Sequence, residues 1–226
     1  RGPSLANPEH IVPSVSAPGV DIYAATNDES PFAASRGEAP VTADFGMYSG
    51  TSMAAPHVAG SLALLSQARP DWTVAEKQSA LQLTAEPEVM HVQYKGETWE
   101  TSNKAEIYRA GTGRINVAAA IDTGLVMNES YENMLAADPN NGGQGHKLNL
   151  PELVNFHCKP VCNWLRTFTA TKDGSWTLTT DEVTNWSGNY SERFVQQGVK
   201  LEMIPAQFSL KAGETQSVVV RASITN

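Results

Sequence analysis

From Ser52 to about Gln67, apolar positions recur at helical spacing: Val58, Leu62 and Leu65, with Ala54, Ala55, Ala59 and Ala63 between them. So many small residues predict a helix buried on nearly all sides. Pro56 falls near its first turn, where the missing N–H forfeits at most about one ladder bond. Thr73-Val74-Ala75-Glu76 has the form of a capping box and predicts a second helix running to about Thr84. A third, short helix is predicted from Asn116 through Ala120, ending near Gly124. Upstream, Val12 to Ala25 reads as short extended pieces broken by Pro13, Pro18 and Gly19. Residues 26–46 carry turn formers without periodicity and read as loop.

The pattern changes near residue 140. Phe168, Trp176 to Thr179, Val199 to Ile204 and Ser217 to Ala222 carry β-branched or aromatic residues in partial alternation, separated by turn signals at Asp173-Gly174, Ser187-Gly188 and Ala212-Gly213. Several short strands within ~80 residues predict a small β-sandwich. Between the halves, Asp138-Pro139-Asn140-Asn141-Gly142-Gly143-Gln144-Gly145 offers turn formers and no hydrophobic anchor. The division is therefore 1–137, a linker over 138–147, and 148–226. Trp176 shares its parity with Leu178 and follows the turn at Gly174, which predicts a core position. Trp186 lies among Asn185, Ser187, Gly188 and Asn189, which predicts a loop or inter-domain position.

Charge narrows the partners. The 226 residues hold 16 Lys and Arg against 24 Asp and Glu, a net charge of −8. Without a dense basic face, nucleic acid is excluded as a partner, and an anionic membrane is disfavoured for the same reason. No apolar run approaches the ~18 residues of a membrane span. The chain opens Arg1-Gly2-Pro3-Ser4 with no initiator Met and no apolar signal core, which reads as a piece of something longer.

Cys158 and Cys162 are the chain's two cysteines. Two sulfurs are too few for zinc without a histidine, and His157 adjoins Cys158 rather than standing at a ligand spacing. The pair reads as a small disulfide across a Pro-containing turn, which implies an oxidising compartment; the alternative is two ordinary thiols. Asn128-Glu129-Ser130, Asn185-Trp186-Ser187 and Asn189-Tyr190-Ser191 match a glycosylation pattern that is common by chance.

The informative stretch is Gly50-Thr51-Ser52-Met53-Ala54-Ala55-Pro56-His57-Val58-Ala59-Gly60. It sets a serine at the start of a helix, two residues after a glycine. A helix N-terminus carries unpaired N–H groups and partial positive charge, so a hydroxyl there can attack a carbonyl while backbone N–H groups receive the oxyanion. The plainer reading of Ser52 or Thr51 is an N-cap.

This eleven-residue string resembles the nucleophile motif of the subtilisin-like serine proteases (subtilases). Ser16-Ala17-Pro18-Gly19-Val20 resembles the segment preceding that nucleophile. Gly111-Thr112-Gly113-Arg114-Ile115-Asn116, with Ala119-Ala120 and Gly124-Leu125-Val126, resembles the closing helix of the protease domain. Arg1-Gly2-Pro3 resembles the end of an upstream turn, and the segment Phe208 to Thr215 a fibronectin-III-like module of large subtilases. The resemblance implies an α/β fold: the C-terminal portion of a doubly wound parallel-sheet domain, then an all-β fibronectin-III-like sandwich. It implies Ser52 as nucleophile, Thr51 supporting the oxyanion site and Met53 on the leaving-group side, against a simple core-filling role for Met53. His57 is implied to be structural, packed in the core.

The chain departs from the family in one respect. A subtilase triad runs Asp, His, Ser along the sequence, and all three must converge. The residues before Ser52 include His10, Asp21, Asp28 and Asp44, none in the family's surroundings for acid or base, and the oxyanion Asn is not recognisable. The expectation is the C-terminal part of a secreted or periplasmic serine endopeptidase, inactive as this chain alone. Its partners would be peptide substrate and the missing N-terminal part of the catalytic domain. No cofactor is implied, and calcium in the longer parent stays open. The rival expectation is a non-catalytic β-sandwich that binds or stabilises, carried with the remnant of a degenerate protease domain; as a binding module it would expose an aromatic surface drawn from Trp164, Trp176 or Trp186.

Overall fold

The computed structural model describes residues 2, 4, 9–25, 45–95, 98–180, 184–186, 193–195 and 198–224. Most of the expected loop over 26–46, the turn at Ser187-Gly188, and Arg1, Pro3, Asp28 and Asp44 lie outside the described residues, as does the side chain of Trp186. The described residues carry both helices and strands. The chain divides into two compact units, Ala17–Ala63 and Arg1–Ser16 with Leu64–Asn226.

In the first unit, β1 (Ile22–Ala25) pairs antiparallel with β2 (Phe45–Tyr48), Ile22 opposite Tyr48 and Ala25 opposite Phe45. The Tyr23 and Phe45 rings stack with centroids 5.4 Å apart. Helix α1 (Thr51–Ala68) starts here and extends one residue beyond each predicted end. Its burial corrects the sequence expectation: only Ser61 and Leu65 are buried along its length, and Leu64 is 55% exposed. Small side chains set how closely a neighbour could approach; they do not supply one, and the described strands of this unit amount to a two-stranded ribbon.

The second unit opens its helical part with α2 (Val74–Leu83). Thr73 Oγ1 accepts from Glu76 N at 3.1 Å while the Glu76 carboxylate accepts from Thr73 N at 2.7 Å, a complete capping box. A hairpin of β3 (Met90–Lys95) and β4 (Thr98–Lys104) follows, then α3 (Ile107–Ala110), α4 (Val117–Ile121), β5 (Leu125–Val126) and α5 (Tyr131–Ala136). Asn116 and Ser130 cap α4 and α5 through their side-chain oxygens. The hairpin, α3 and α5 are absent from the sequence reading. The turn-rich stretch after Ala137 forms two 3-10 turns, Pro139–Asn141 and Gly145–Lys147.

Strands then dominate: β6 (Val161–Ala170), β7 (Gly174–Thr177), β8 (Thr184–Trp186), β9 (Arg193–Val195), β10 (Val199–Ile204), β11 (Gln207–Leu210) and β12 (Thr215–Ile224). One sheet has the order β10-β12-β6-β5, while β11-β7 and β8-β9 form two-stranded sheets. Every pairing between these named strands is antiparallel, and the isolated bridge of Ser16 to Arg114 is parallel. Alternation along β6 sends Cys162, Trp164 and Arg166 inward and leaves Val161, Asn163 and Leu165 outside. Cys162, Trp164 and Ala222 form a buried cluster, with Cys158, Leu201 and Val220 packed against it. The Cys158 and Cys162 sulfurs are bonded to each other. Phe208 stacks between Phe168 and half-buried Trp176. Trp164, a candidate for an exposed aromatic surface in the rival reading, is buried at 7% exposure, its Nε1–H donating to Val154 O.

Three distant segments meet through their backbones near Gly113. Ser16 N donates to Gly113 O at 2.7 Å and Ile115 N to Ser16 O at 2.9 Å, while Glu86 and Arg114 exchange both of their backbone bonds. Gly113 has φ +135°, and a Cβ there would stand 2.1 Å from Glu86 O. Only glycine fits this junction without moving a backbone. Gly113→Ala is therefore expected to cost about 2–4 kcal/mol by urea denaturation, because strained φ and backbone overlap add. Gly142→Ala, with φ +77° but open space around the new methyl, is expected to cost only about 1 kcal/mol.

Candidate active site

Glycines at both ends of a short contact set the position of Ser52. Gly50 N donates to Gly19 O at 2.7 Å, which anchors the residue just before the helix. Gly50 O then accepts from Met53 N at 3.0 Å and Ala54 N at 3.3 Å, starting the ladder of α1. A Cβ on Gly19 would lie 2.8 Å from Gly50 O and 3.1 Å from the Ala54 methyl. Next to this contact, Ser49 Oγ accepts from Asp21 N at 2.8 Å and donates to Asp21 Oδ1 at 3.3 Å. Asp21 sits at φ +51°, a left-handed conformation that Asp tolerates better than most residues.

Thr51 and Ser52 occupy the first turn exposed, and Met53 follows half-buried. No acidic residue lies in that turn, so the partial positive charge of the helix end is not offset from within the helix. Pro56 has no N–H to give, and the carbonyl left without its helical donor is that of Ser52 itself. A serine here stands beside outward-facing backbone donors, which is the arrangement an acyl-transfer nucleophile needs.

The base is another matter. His57 Nδ1 lies 2.7 Å from Met53 O. A carbonyl only accepts, so Nδ1 carries the proton and Nε2 is the free basic nitrogen of the neutral ring. Among the described residues no hydrogen bond reaches Ser52 Oγ. The ring is also exposed, which corrects the expectation of a core-packed histidine: α1 lacks cover over that stretch in its own unit. His10 is committed elsewhere, to Glu152.

That second commitment belongs to a cluster the sequence reading missed. Glu9 meets His146, with Nδ1 3.0 Å from its carboxylate and His146 N donating to it at 3.1 Å. The next residue, His10, places Nδ1 2.5 Å from Glu152 Oε1. Buried Arg166 donates from Nη2 to Glu152 O at 2.7 Å and reaches His146 O at 3.5 Å, so one guanidinium holds both partner residues by their carbonyls. Burial lowers the Arg166 pKa to about 10, against the opposing pull of the Glu152 and Glu129 charges. The hydrogen bond to Glu152 raises the His10 pKa above its ordinary value, although burial works the other way. Burial alone would raise the Glu9 pKa, but the ring and backbone bonds from His146 bring it below the usual carboxylate range. A cleft of about 280 Å³ opens beside these pairs, lined also by Gln82, Met127 and Met134. Partners separated by 137 positions leave no local spacing to read.

Comparison with known proteins finds relatives along the chain. The model of the subtilase family (peptidase S8) matches residues 1–113. The Arabidopsis thaliana subtilisin-like protease SBT1.5 is 40% identical over 134 aligned positions, covering 56% of this chain and 16% of that protein. Two more subtilisin-like proteases from the same plant, SBT2.5 and SBT2.3, are each 30% identical over 99% and 100% of this chain. The chain spans 29% of the length of each of those two.

If the Gly19–Gly50 contact holds the start of α1, Gly19→Ala should speed amide hydrogen exchange at Gly50 by about tenfold, the worth of one net hydrogen bond. An unchanged Gly50 rate would show that the helix start is held by other means.

Proposed function

The chain belongs to the subtilase family, and from that premise we propose that it is the C-terminal part of a subtilisin-like serine endopeptidase that cleaves peptide bonds through an acyl-enzyme on Ser52. The observation that carries this reading is the position of Ser52: exposed, in the first turn of α1, two residues after the Gly50 anchored by Gly19. Thr51 supports the oxyanion site and Met53 borders the leaving group. The triad Asp and His come from chain outside these 226 residues, in keeping with relatives more than three times as long. That outside chain, the N-terminal part of the catalytic domain, is accordingly this chain's first partner, with protein or peptide as substrate. No metal or cofactor enters this reading, and calcium belongs to the question of the parent.

Residues 1–137 are the C-terminal part of the doubly wound catalytic domain, 138–147 a linker and 148–226 a fibronectin-III-like sandwich. Secretion or a periplasmic location fits the Cys158–Cys162 bond, and no helix among the described residues is long and apolar enough to cross a membrane. The rival reading of a binding module loses one of its candidate docking aromatics, because Trp164 is buried.

In a longer form containing the acid and base, Ser52→Ala should lower turnover by several orders of magnitude while leaving the circular dichroism spectrum unchanged. Activity surviving within about tenfold would remove Ser52 as nucleophile. The 226-residue chain should react with a fluorophosphonate probe far more slowly than that longer form, since no base meets Ser52 among the described residues. Rapid stoichiometric labelling of the short chain would point to a base within it.

A further inference from the structure

Adjacent residues of opposite charge type, Glu9 and His10, meet partners in the complementary order, His146 and Glu152. Shifting the segment by one residue would set Glu9 against Glu152 in one direction or His10 against His146 in the other, and would leave the second partner facing Pro8 or Ile11, so the two contacts favour a single register. They join segments that are far apart in sequence, and both partner residues are fixed from behind by Arg166. The His10 side chain is 41% exposed and adjoins the cleft, so its proton exchanges with solvent without unfolding, whereas the Glu152 side chain is 7% exposed.

We propose that Glu9, His10, His146 and Glu152 form a two-point clasp that is closed in weakly acidic surroundings and releases its hold on the segment around residues 9 and 10 when His10 loses its proton. Among the described residues, the charged groups that act on it are Arg166, which reaches both partner carbonyls, Glu129, whose charge acts on Arg166, and His157, whose charge acts on Glu9. None of these replaces the proton on His10. A neutral imidazole leaves the buried Glu152 carboxylate without its nearest cation, and the desolvated carboxylate then favours solvent.

The direction of the pH response follows from the two shifted groups. His10 has a folded pKa above 6.5, so its contribution is complete below 6.5 and disappears as pH rises through the folded value. Glu9 has a folded pKa below 4.5, so its contribution is complete above 4.5 and disappears as pH falls through that lower value. The clasp is therefore tightest between pH 4.5 and 6.5 and loosens on the alkaline side as His10 loses its proton. Ser16 is outside its control, because backbone bonds to Gly113 and Ile115 hold that residue and titrate at no pH near neutral.

The His146 amide reports the clasp directly, since it donates to the Glu9 carboxylate. Amide exchange on the full 226-residue chain, corrected for intrinsic base catalysis, should show a several-fold loss of His146 protection from weakly acidic to weakly alkaline pH. Ser16 protection should stay constant over the same range. In His10→Gln the His146 amide should be poorly protected at every pH tested. Constant His146 protection in the native chain, or an unchanged pH dependence in His10→Gln, overturns the clasp. Should that variant misfold, the imidazole titration of His10 by NMR in the native chain decides: a midpoint above 6.5 supports the clasp, and one at or below 6.5 overturns it.

Discussion

Arg166 imposes the constraint around which the second unit is arranged. Strand alternation turns its side chain inward from β6, where only 3% of the residue meets solvent. With a pKa still near 10 it is charged at any ordinary pH, and a buried cation must be supplied with oxygen acceptors. The carbonyls of His146, Glu152 and its neighbour Leu165 provide them. Residues 146–152 consequently run past β6 with carbonyls turned toward the guanidinium, in a path that apolar packing alone would not select. Asn149 reinforces that path: its amide group gives and takes one hydrogen bond each with the Thr167 backbone, standing in for a strand partner. Segments that look like a bare connection in sequence are thus tied to the sheet by polar contacts.

What was legible in the sequence was local. Thr73 and Glu76 carry their helix start in four residues, and the strands around Val199–Ile204 and Thr215–Ile224 follow from β-branched alternation and a glycine turn. The short helices at Ile107–Ala110 and Tyr131–Ala136 are too brief to show a period; Ser130 caps the second through its side chain, whereas the first has no side-chain N-cap. The small residues of α1 suggested burial, yet burial belongs to a pair of surfaces and the sequence of one helix describes only one of them. At the candidate active site, the serine motif identified Ser52, whereas the Gly19–Gly50 bond emerged only in three dimensions. The pairs Glu9–His146 and His10–Glu152 were invisible for the same reason: their chemistry is ordinary and their proximity is created by the fold.

The two regions use charge in different ways. Around Ser52 the useful electrostatics come from the peptide backbone, fixed by helix geometry and insensitive to pH near neutral. Around His10 they come from side chains whose protons are exchangeable. A chain built this way can keep the entry to its helix constant while the segment around His10 answers to the surroundings.

The disulfide also gives this molecule an optical handle. Both sulfurs lie against the cluster that contains the Trp164 indole, which is shut off from water. Cutting the bond between Cys158 and Cys162 would loosen one wall of that cluster, so the surroundings of the Trp164 indole change with the state of the disulfide. The Trp164 side chain is in that sense a built-in witness to whether the loop from Cys158 to Cys162 is closed.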